Sequence, residues 1–315
     1  VLRVLLIKTS SLGDVISNLP VVSDILRAHP DACIDWVVEE SFAAIPALHP
    51  GVAGVIPVAV RRWRKQLLKP ATWRQMREFA AALRRADYDF VIDTQGLIKS
   101  ALISARARGR KCGYDRDSIR EPLACRVYDQ RFAVSWQWQA VARNRALAAL
   151  ALGYEIDARG LPDYGVSAPD FAADWLPAGP YCVLLTATSR ADKNWPADHW
   201  VRLGRQLKAR GVSSVLPAGS SAERAAAAAI AAQIEGAVPA PSLGLAELAG
   251  LLGRAHAVVG VDTGLTHLAA AIGRPVVGIY CGSDPAANGV IAADARNLGA
   301  PGQAPSVDEV FAAVP

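Results

Sequence analysis

The run Val1–Ile7 (VLRVLLI) is apolar at every position except Arg3. A run that does not alternate cannot be a strand with one wet face. It reads as a strand buried on both sides, the kind found in parallel sheets covered by helices. A polar turn, Lys8–Asp14, follows, then a helix over about 13–29 that Pro30 ends. The unit recurs: Cys33–Val38 and Val55–Val58 read as strands, 71–85 as a helix with Phe79, Ala82 and Leu83 on one face, Asp89–Asp93 as a strand, and 97–107 as a helix. Strands alternating with helices predict an α/β fold with a parallel sheet and helices on both of its faces.

The stretch Arg159–Asp170 (RGLPDYGVSAPD) is rich in Pro, Gly and Asp and marks a linker. The pattern then restarts. Tyr181–Thr186 and Val212–Pro217 read as strands, 199–210 and the Ala-rich 222–234 as helices, and 257–280 as strand, tight turn, helix, strand. Two Rossmann-like domains are expected, 1–165 and 166–305, with a last helix over 306–315 that packs back on the first. Ligands of such sheets bind at the carboxyl ends of the strands, and two facing domains place the site in the cleft between them.

With 52% apolar and 20% charged residues the chain is too apolar for disorder. No stretch of about 18 uncharged apolar residues suggests a membrane span, and the first run is too short for the apolar region of a signal peptide. The five Cys are scattered and odd in number, which fits reduced thiols in the cytoplasm; no His, Cys and carboxylate spacing suggests a metal site. The net charge of +5 is asymmetric. Residues 1–165 hold 24 Lys and Arg against 17 Asp and Glu, and residues 166–315 hold 10 against 12. The basic half suits an anionic ligand or an anionic membrane surface, and no nucleic-acid module accompanies it.

Several turns after strands carry candidate chemistry. Ser11 and Gly13 let a ligand approach the backbone, and Asp14 stands in the first turn of a helix, either as a dipole-complementing acid or as a functional carboxylate. The turn is not Gly-x-Gly-x-x-Gly, so a dinucleotide dehydrogenase is not indicated. Arg61, Arg62, Arg64 and Lys65 surround Trp63, either as a solvated loop or as a receptor for carboxylates and phosphates. Lys99 and Arg120 add cations, and Gln95 follows a strand where it can hydrogen-bond a polyol or an acid. In the second half, Thr188, Ser189 and Lys193 lie between a strand and a helix, a combination that suits a diphosphate. Asp262-Thr263-Gly264 ends an apolar strand and opens a helix that carries His267 in its first turns, either packed, capping or facing a phosphate. One such Asp-Thr-Gly in α/β surroundings is not an aspartic protease. Glu223, one turn beyond a strand, is either an exposed helix residue or an acceptor from ribose hydroxyls.

Taken in order, KTSSLGDVISNLP, RRWRK, DTQGLIKSAL, SIREPLA, ADKNWPADHW and VDTGLTHLAAA resemble the lipopolysaccharide heptosyltransferases of glycosyltransferase family 9. RRWRK with DTQGLIKS favours the branch that adds the first heptose. The resemblance implies a GT-B fold and inverting transfer of heptose from ADP-L-glycero-β-D-manno-heptose to the first Kdo of Kdo2-lipid A, without a metal or other cofactor. The alternatives are a relative adding a later heptose, or a non-catalytic nucleotide-binding protein of the same fold. It further implies Asp14 as general base, Lys193 as the cation on the leaving diphosphate, and Thr188, Ser189, Glu223, Asp262, Thr263, Gly264 and His267 on the donor. Ser11, Gly13, Arg61, Arg62, Arg64, Lys65, Gln95, Lys99 and Arg120 fall to the acceptor. The implied location is cytoplasmic, peripheral on the inner membrane of a Gram-negative bacterium.

Overall fold

Val4, Leu5, Leu6 and Ile7 are all fully buried, so the first strand is covered on both faces, as its unbroken apolar run requires. The computed structural model describes residues 1–188 and 190–315, in two units, Val1–Val166 and Ser167–Pro315. The first unit runs β1 (Arg3–Ile7), α1 (Leu12–Ile16), α2 (Leu19–Ala28), β2 (Cys33–Glu39), α3 (Ala44–Ala47), β3 (Val52–Val58), α4 (Val60–Trp63), α5 (Pro70–Leu83), β4 (Asp87–Asp93), α6 (Ile98–Ser104), β5 (Arg108–Tyr114), β6 (Gln130–Phe132) and α7 (Ala140–Leu152). The second runs β7 (Tyr181–Leu185), α8 (Ala197–Ala209), β8 (Ser213–Leu216), α9 (Ser221–Ala231), β9 (Val238–Pro239), α10 (Leu245–Arg254), β10 (Ala257–Val261), α11 (Gly264–Ala271), β11 (Val276–Tyr280), α12 (Pro285–Asn288), β12 (Ala295–Gly299) and α13 (Val307–Ala313).

Each unit holds one six-stranded sheet, ordered β3-β2-β1-β4-β5-β6 and β12-β11-β10-β7-β8-β9, and every pairing is parallel. Counted from its own first strand, the second sheet repeats the order of the first. In both, the winding reverses between two central strands: β1 and β4, then β7 and β10. Ligands of doubly wound sheets bind beyond that reversal, because the loops on its two sides lead away from each other.

Two expectations are corrected, and one left open is narrowed. The helix foreseen over 13–29 is two helices. Pro20 has no N–H to donate into a continuous ladder, and it stands instead in the first turn of α2. RRWRK, open between a loop and a receptor, starts within one helical turn, α4, and Trp63 joins the core formed by Leu5, Val37, Leu83 and Val91. The closing helix belongs to the second unit. Val307, Val310 and Val314 belong to the core of the second, Trp195 donates to Pro305 O, and the Arg210 guanidinium lies over the Phe311 ring. Its three Val are spaced to bury one face, and α8 supplies the apolar surface that covers it.

A buried ion pair ties the first unit together. Arg145 on α7 meets both carboxylate oxygens of Asp24 on α2, at 2.6 and 3.1 Å, and its Nη1 donates to Ala158 O and Gly160 O. Neither residue is more than 4% exposed. Removing Arg145 would leave the buried Asp24 carboxylate with only the solvent-exposed Arg27, at 3.1 Å, as a partner. Arg145→Met is therefore expected to lower the unfolding free energy of the first unit by about 3–5 kcal/mol, measured by urea denaturation. A loss under about 1 kcal/mol would show the pair to be replaceable.

Candidate functional site

In the first unit the loop after β4 shapes the loop after β1. The buried Asp93 carboxylate accepts from the Gln95 and Gly96 amides at 2.9 and 3.1 Å and from the Tyr128 hydroxyl at 2.7 Å. Gly96 takes φ +67°, which closes this turn where a side chain would be strained. Burial raises the affinity of Asp93 for a proton; the hydrogen bonds from Tyr128, Ser100, Gly96 and Gln95 oppose it. Gln95, fixed by this turn, accepts through Oε1 from the Thr9 and Ser10 amides at 2.9 and 3.1 Å. Lys99 Nζ donates to Ser10 Oγ at 2.8 Å.

Asp14 closes the capping box of α1. Ser11 donates to its Oδ2 through both N, at 2.7 Å, and Oγ, at 2.8 Å. Among the described residues Oδ1 accepts no hydrogen bond. One oxygen is thus anchored and the other is open. Two lysines share the field of this carboxylate. Lys8 is 5% exposed and donates to Thr94 O and Asn144 Oδ1. Burial lowers its proton affinity, the carboxylates of Asp14 and Asp93 counter that, and Arg143 adds to it. Lys99 is lowered by burial too, against Glu39 and Asp14 and together with Arg61 and Arg64.

The four cations of RRWRK are not equivalent. Arg62 forms a bidentate pair with Glu40, with two bonds of 2.9 Å, and reaches Gln75 Oε1 at 2.8 Å. Its charge is already matched. The Arg61 guanidinium lies 5.2 Å over the Phe42 ring, and Arg64, Lys65 and Arg120 are exposed.

In the second unit the loops after β7 and β10 meet at Asp262. Its Oδ2 accepts from Lys193 Nζ and from Ser283 Oγ, both at 2.6 Å, and His267 Nε2 stands 3.9 Å from Oδ1, too far for a direct hydrogen bond. Burial pushes this carboxyl up, but the His267 ring, Lys193 and Ser283 outweigh it and hold Asp262 well below the usual carboxylate range. Gly282 permits the convergence: a Cβ there would stand 2.5 Å from Asp192 O. Thr188 Oγ1 reaches Asp262 O at 3.4 Å. Thr263 is the N-cap of α11, yet its side chain makes no cap bond, so the amides of Gly264 and Leu265 keep their donors, while that of Thr266 turns to Thr263 O at 3.1 Å. The Thr266 hydroxyl instead bonds back to Val261 O at 2.7 Å. A cation beside an uncapped helix N-terminus is suited to phosphate oxygens.

Glu223 acts as a cap: Oε2 accepts from the Gly219 and Ser220 amides at 3.1 and 2.8 Å. Ser189 lies outside the described residues. The sequence reading missed Ser283, Lys8 and Arg143. Ser283 stands in a Gly-Ser turn after β11, a signal of the same kind as those used; nothing in the sequence marked Lys8 as buried. Among the described residues no cluster of His, Cys, Asp and Glu could hold a metal ion, and no helix is long and apolar enough to cross a membrane.

Residues 76–311 match the family model described as glycosyltransferase family 9 (heptosyltransferase). Lipopolysaccharide heptosyltransferase 1 of Pseudomonas aeruginosa is 47% identical over 300 residues, covering 95% of this chain and 84% of that protein. The protein of the same name from Escherichia coli K12 is 42% identical over 285 residues, covering 90% and 89%. The structure of E. coli heptosyltransferase WaaC with ADP matches with a TM-score of 0.91 at 39% identity, over 98% of both chains. Two Rossmann-like units in one chain, with this match, make the fold GT-B.

The Asp262 carboxyl ionises more readily folded than unfolded, where its value is about 4. The stability it contributes is therefore complete above that value and is lost as pH falls below it, toward the folded value. Asp262→Asn should lower the melting temperature of the second unit at pH 6, and the gap from wild type should narrow as pH drops below about 4. Melting curves that stay parallel from pH 6 to pH 2.5 would contradict the assignment.

Proposed function

Because the chain belongs to glycosyltransferase family 9, we propose that it moves L-glycero-D-manno-heptose from ADP-heptose to the first Kdo of Kdo2-lipid A, with inversion. The donor is held by the second unit and the acceptor by the first. The acceptor hydroxyl attacks C1 of the heptose as the bond from C1 to the phosphate oxygen breaks. The proton passes to Oδ1 of Asp14, and ADP departs with the bonding pair. The observation that carries this reading is the Asp14 carboxylate itself, anchored through Oδ2 by Ser11 with Oδ1 open.

On the donor side, Lys193 and the amides at the start of α11 meet the charge that develops on the diphosphate. Asp262 orients Lys193 at 2.6 Å, so little reorganisation remains for the reaction. Thr188, Ser189, Thr263 and His267 supply further polar contacts to donor oxygens, and Glu223 receives the ribose through Oε1. On the acceptor side, Arg61, Arg64, Lys65, Lys99 and Arg120 face the acidic glycolipid. Gln95 contributes chiefly by holding the loop that carries Ser11 and Gly13, and Arg62 by holding α4 to Glu40.

The same region supports a peripheral location on an anionic membrane. Leu67, Leu68 and Trp73 are 48%, 100% and 53% exposed, and Trp73 Nε1 bonds Leu67 O. Arg64, Lys65, Lys69 and Arg74 are exposed around them. Apolar side chains ringed by cations suit the headgroup boundary, where each cation contributes about 1 kcal/mol.

Asp14→Asn is expected to lower kcat at least about 100-fold while ADP affinity, measured by calorimetry, stays within about twofold. Near-normal turnover would remove Asp14 as the base. Replacing Leu67 and Leu68 with Ser should weaken binding to phosphatidylglycerol–phosphatidylcholine vesicles about tenfold and leave turnover of a deacylated acceptor intact. Unchanged vesicle binding would place the membrane contact elsewhere.

A further inference from the structure

Arg143 stands in the first turn of α7, where the helix dipole disfavours a cation. Its guanidinium is stacked 3.7 Å from the centroid of the Trp136 ring and 4.8 Å from that of Tyr114. Nη2 donates to Ser118 O, Nε is buried without an acceptor, and among the described residues Nη1 donates to nothing. Among the same residues no carboxylate lies within ion-pair distance of it. Tyr114 does not neutralise it: burial keeps that phenol protonated well above its ordinary range, and its hydroxyl is engaged with Asn144 at 3.2 Å.

The fold thus clamps a planar cation in one orientation, near the start of α7. A cation held there favours an anion, and among the described residues no carboxylate supplies one. Asn144, the next residue on α7, also receives Lys8 at the end of β1, and Lys8 feels the charges of both Asp14 and Arg143, so Arg143 lies on the strand-end side of the sheet that carries Asp14. Trp136 is 49% exposed, which leaves an edge of the clamp open to solvent.

We propose that Arg143, held between Trp136 and Tyr114, is an oxyanion subsite of the first unit that receives a carboxylate or phosphate group of the acidic acceptor. It rests on the reading that the first unit takes the acceptor. A guanidinium fork presents two parallel donors to either group, and the stacked rings hold it planar without matching its charge.

The test is steady-state kinetics with deacylated Kdo2-lipid A, its dephosphorylated form and its Kdo methyl ester. Arg143→Met should raise the acceptor KM by about 10- to 100-fold, with kcat within about threefold and ADP affinity unchanged. Arg143→Lys should recover only part of this, since an ammonium lacks the fork. Trp136→Leu, at an exposed position, should raise KM several-fold. If the penalty of Arg143→Met vanishes on the methyl ester, the subsite reads the carboxylate; if it vanishes on the dephosphorylated acceptor, it reads a phosphate. A penalty that persists on both, or a normal KM, overturns the proposal. Should Arg143→Met fail to fold, normal KM values for Arg143→Lys and Trp136→Leu overturn it equally. If Asp14→Asn abolishes turnover while these variants bind acceptor normally, this inference alone falls; if Asp14→Asn is active, the reading of the first unit falls with it.

Discussion

Each sheet reverses its winding between two central strands, and every candidate catalytic group sits where that reversal opens the loops. A parallel strand buried on both faces ends in backbone groups that no neighbouring strand can satisfy, so its loop must be held by something else. In the first unit the holder is the Asp93 turn, acting through Gln95 on the amides of Thr9 and Ser10. In the second it is Asp262, acting on Lys193. In both, the loop after the fourth strand of the unit positions the loop after the first.

The two acids occupy equivalent places, each followed by Thr, yet their protonation is pushed in opposite directions. Asp93 is fully buried among neutral donors, and desolvation prevails. Asp262 meets an ammonium and a hydroxyl at 2.6 Å each, and attraction prevails over burial. The first arrangement suits a rigid scaffold that keeps its hydrogen bonds whatever binds. The second keeps a cation oriented and only partly neutralised, which suits a leaving group that acquires charge during the reaction.

How far the site could be read in advance follows from the same distinction. Strand ends and Gly turns are local signals, so Asp14, Gln95, Lys193 and Asp262 were visible as residues after strands. Pairings over long separations were not. The approach of Ser283 to Asp262, of Glu40 to Arg62 and of Asn144 to Lys8 depends on which strands become neighbours. The segment from Arg108 to Leu152 carried no assigned element beyond the basic residue Arg120, because its strands are short or Arg-rich and α7 is buried along much of its length, with no single apolar face to give it a period. Glu223 was visible as a residue but not in its bonds: the capping box that engages it is a local interaction whose Ser-x-x-Glu spacing the sequence does contain.

Counting cations therefore misjudges what the basic half offers a ligand. Arg62 is matched by Glu40 and Arg145 by Asp24, and neither can take up an acidic partner without first giving up a carboxylate it already holds. Among the described residues several cations have no such partner, with Arg64, Lys65 and Arg120 in solvent and Arg143 fixed between two rings. The solvated ones attract an anionic surface from a distance and are screened by salt. The fixed one has lost its rotamer freedom during folding, so an anion that reaches it pays little further entropy. On the proposed reading, long-range attraction and short-range selection fall to different residues of one positively charged unit.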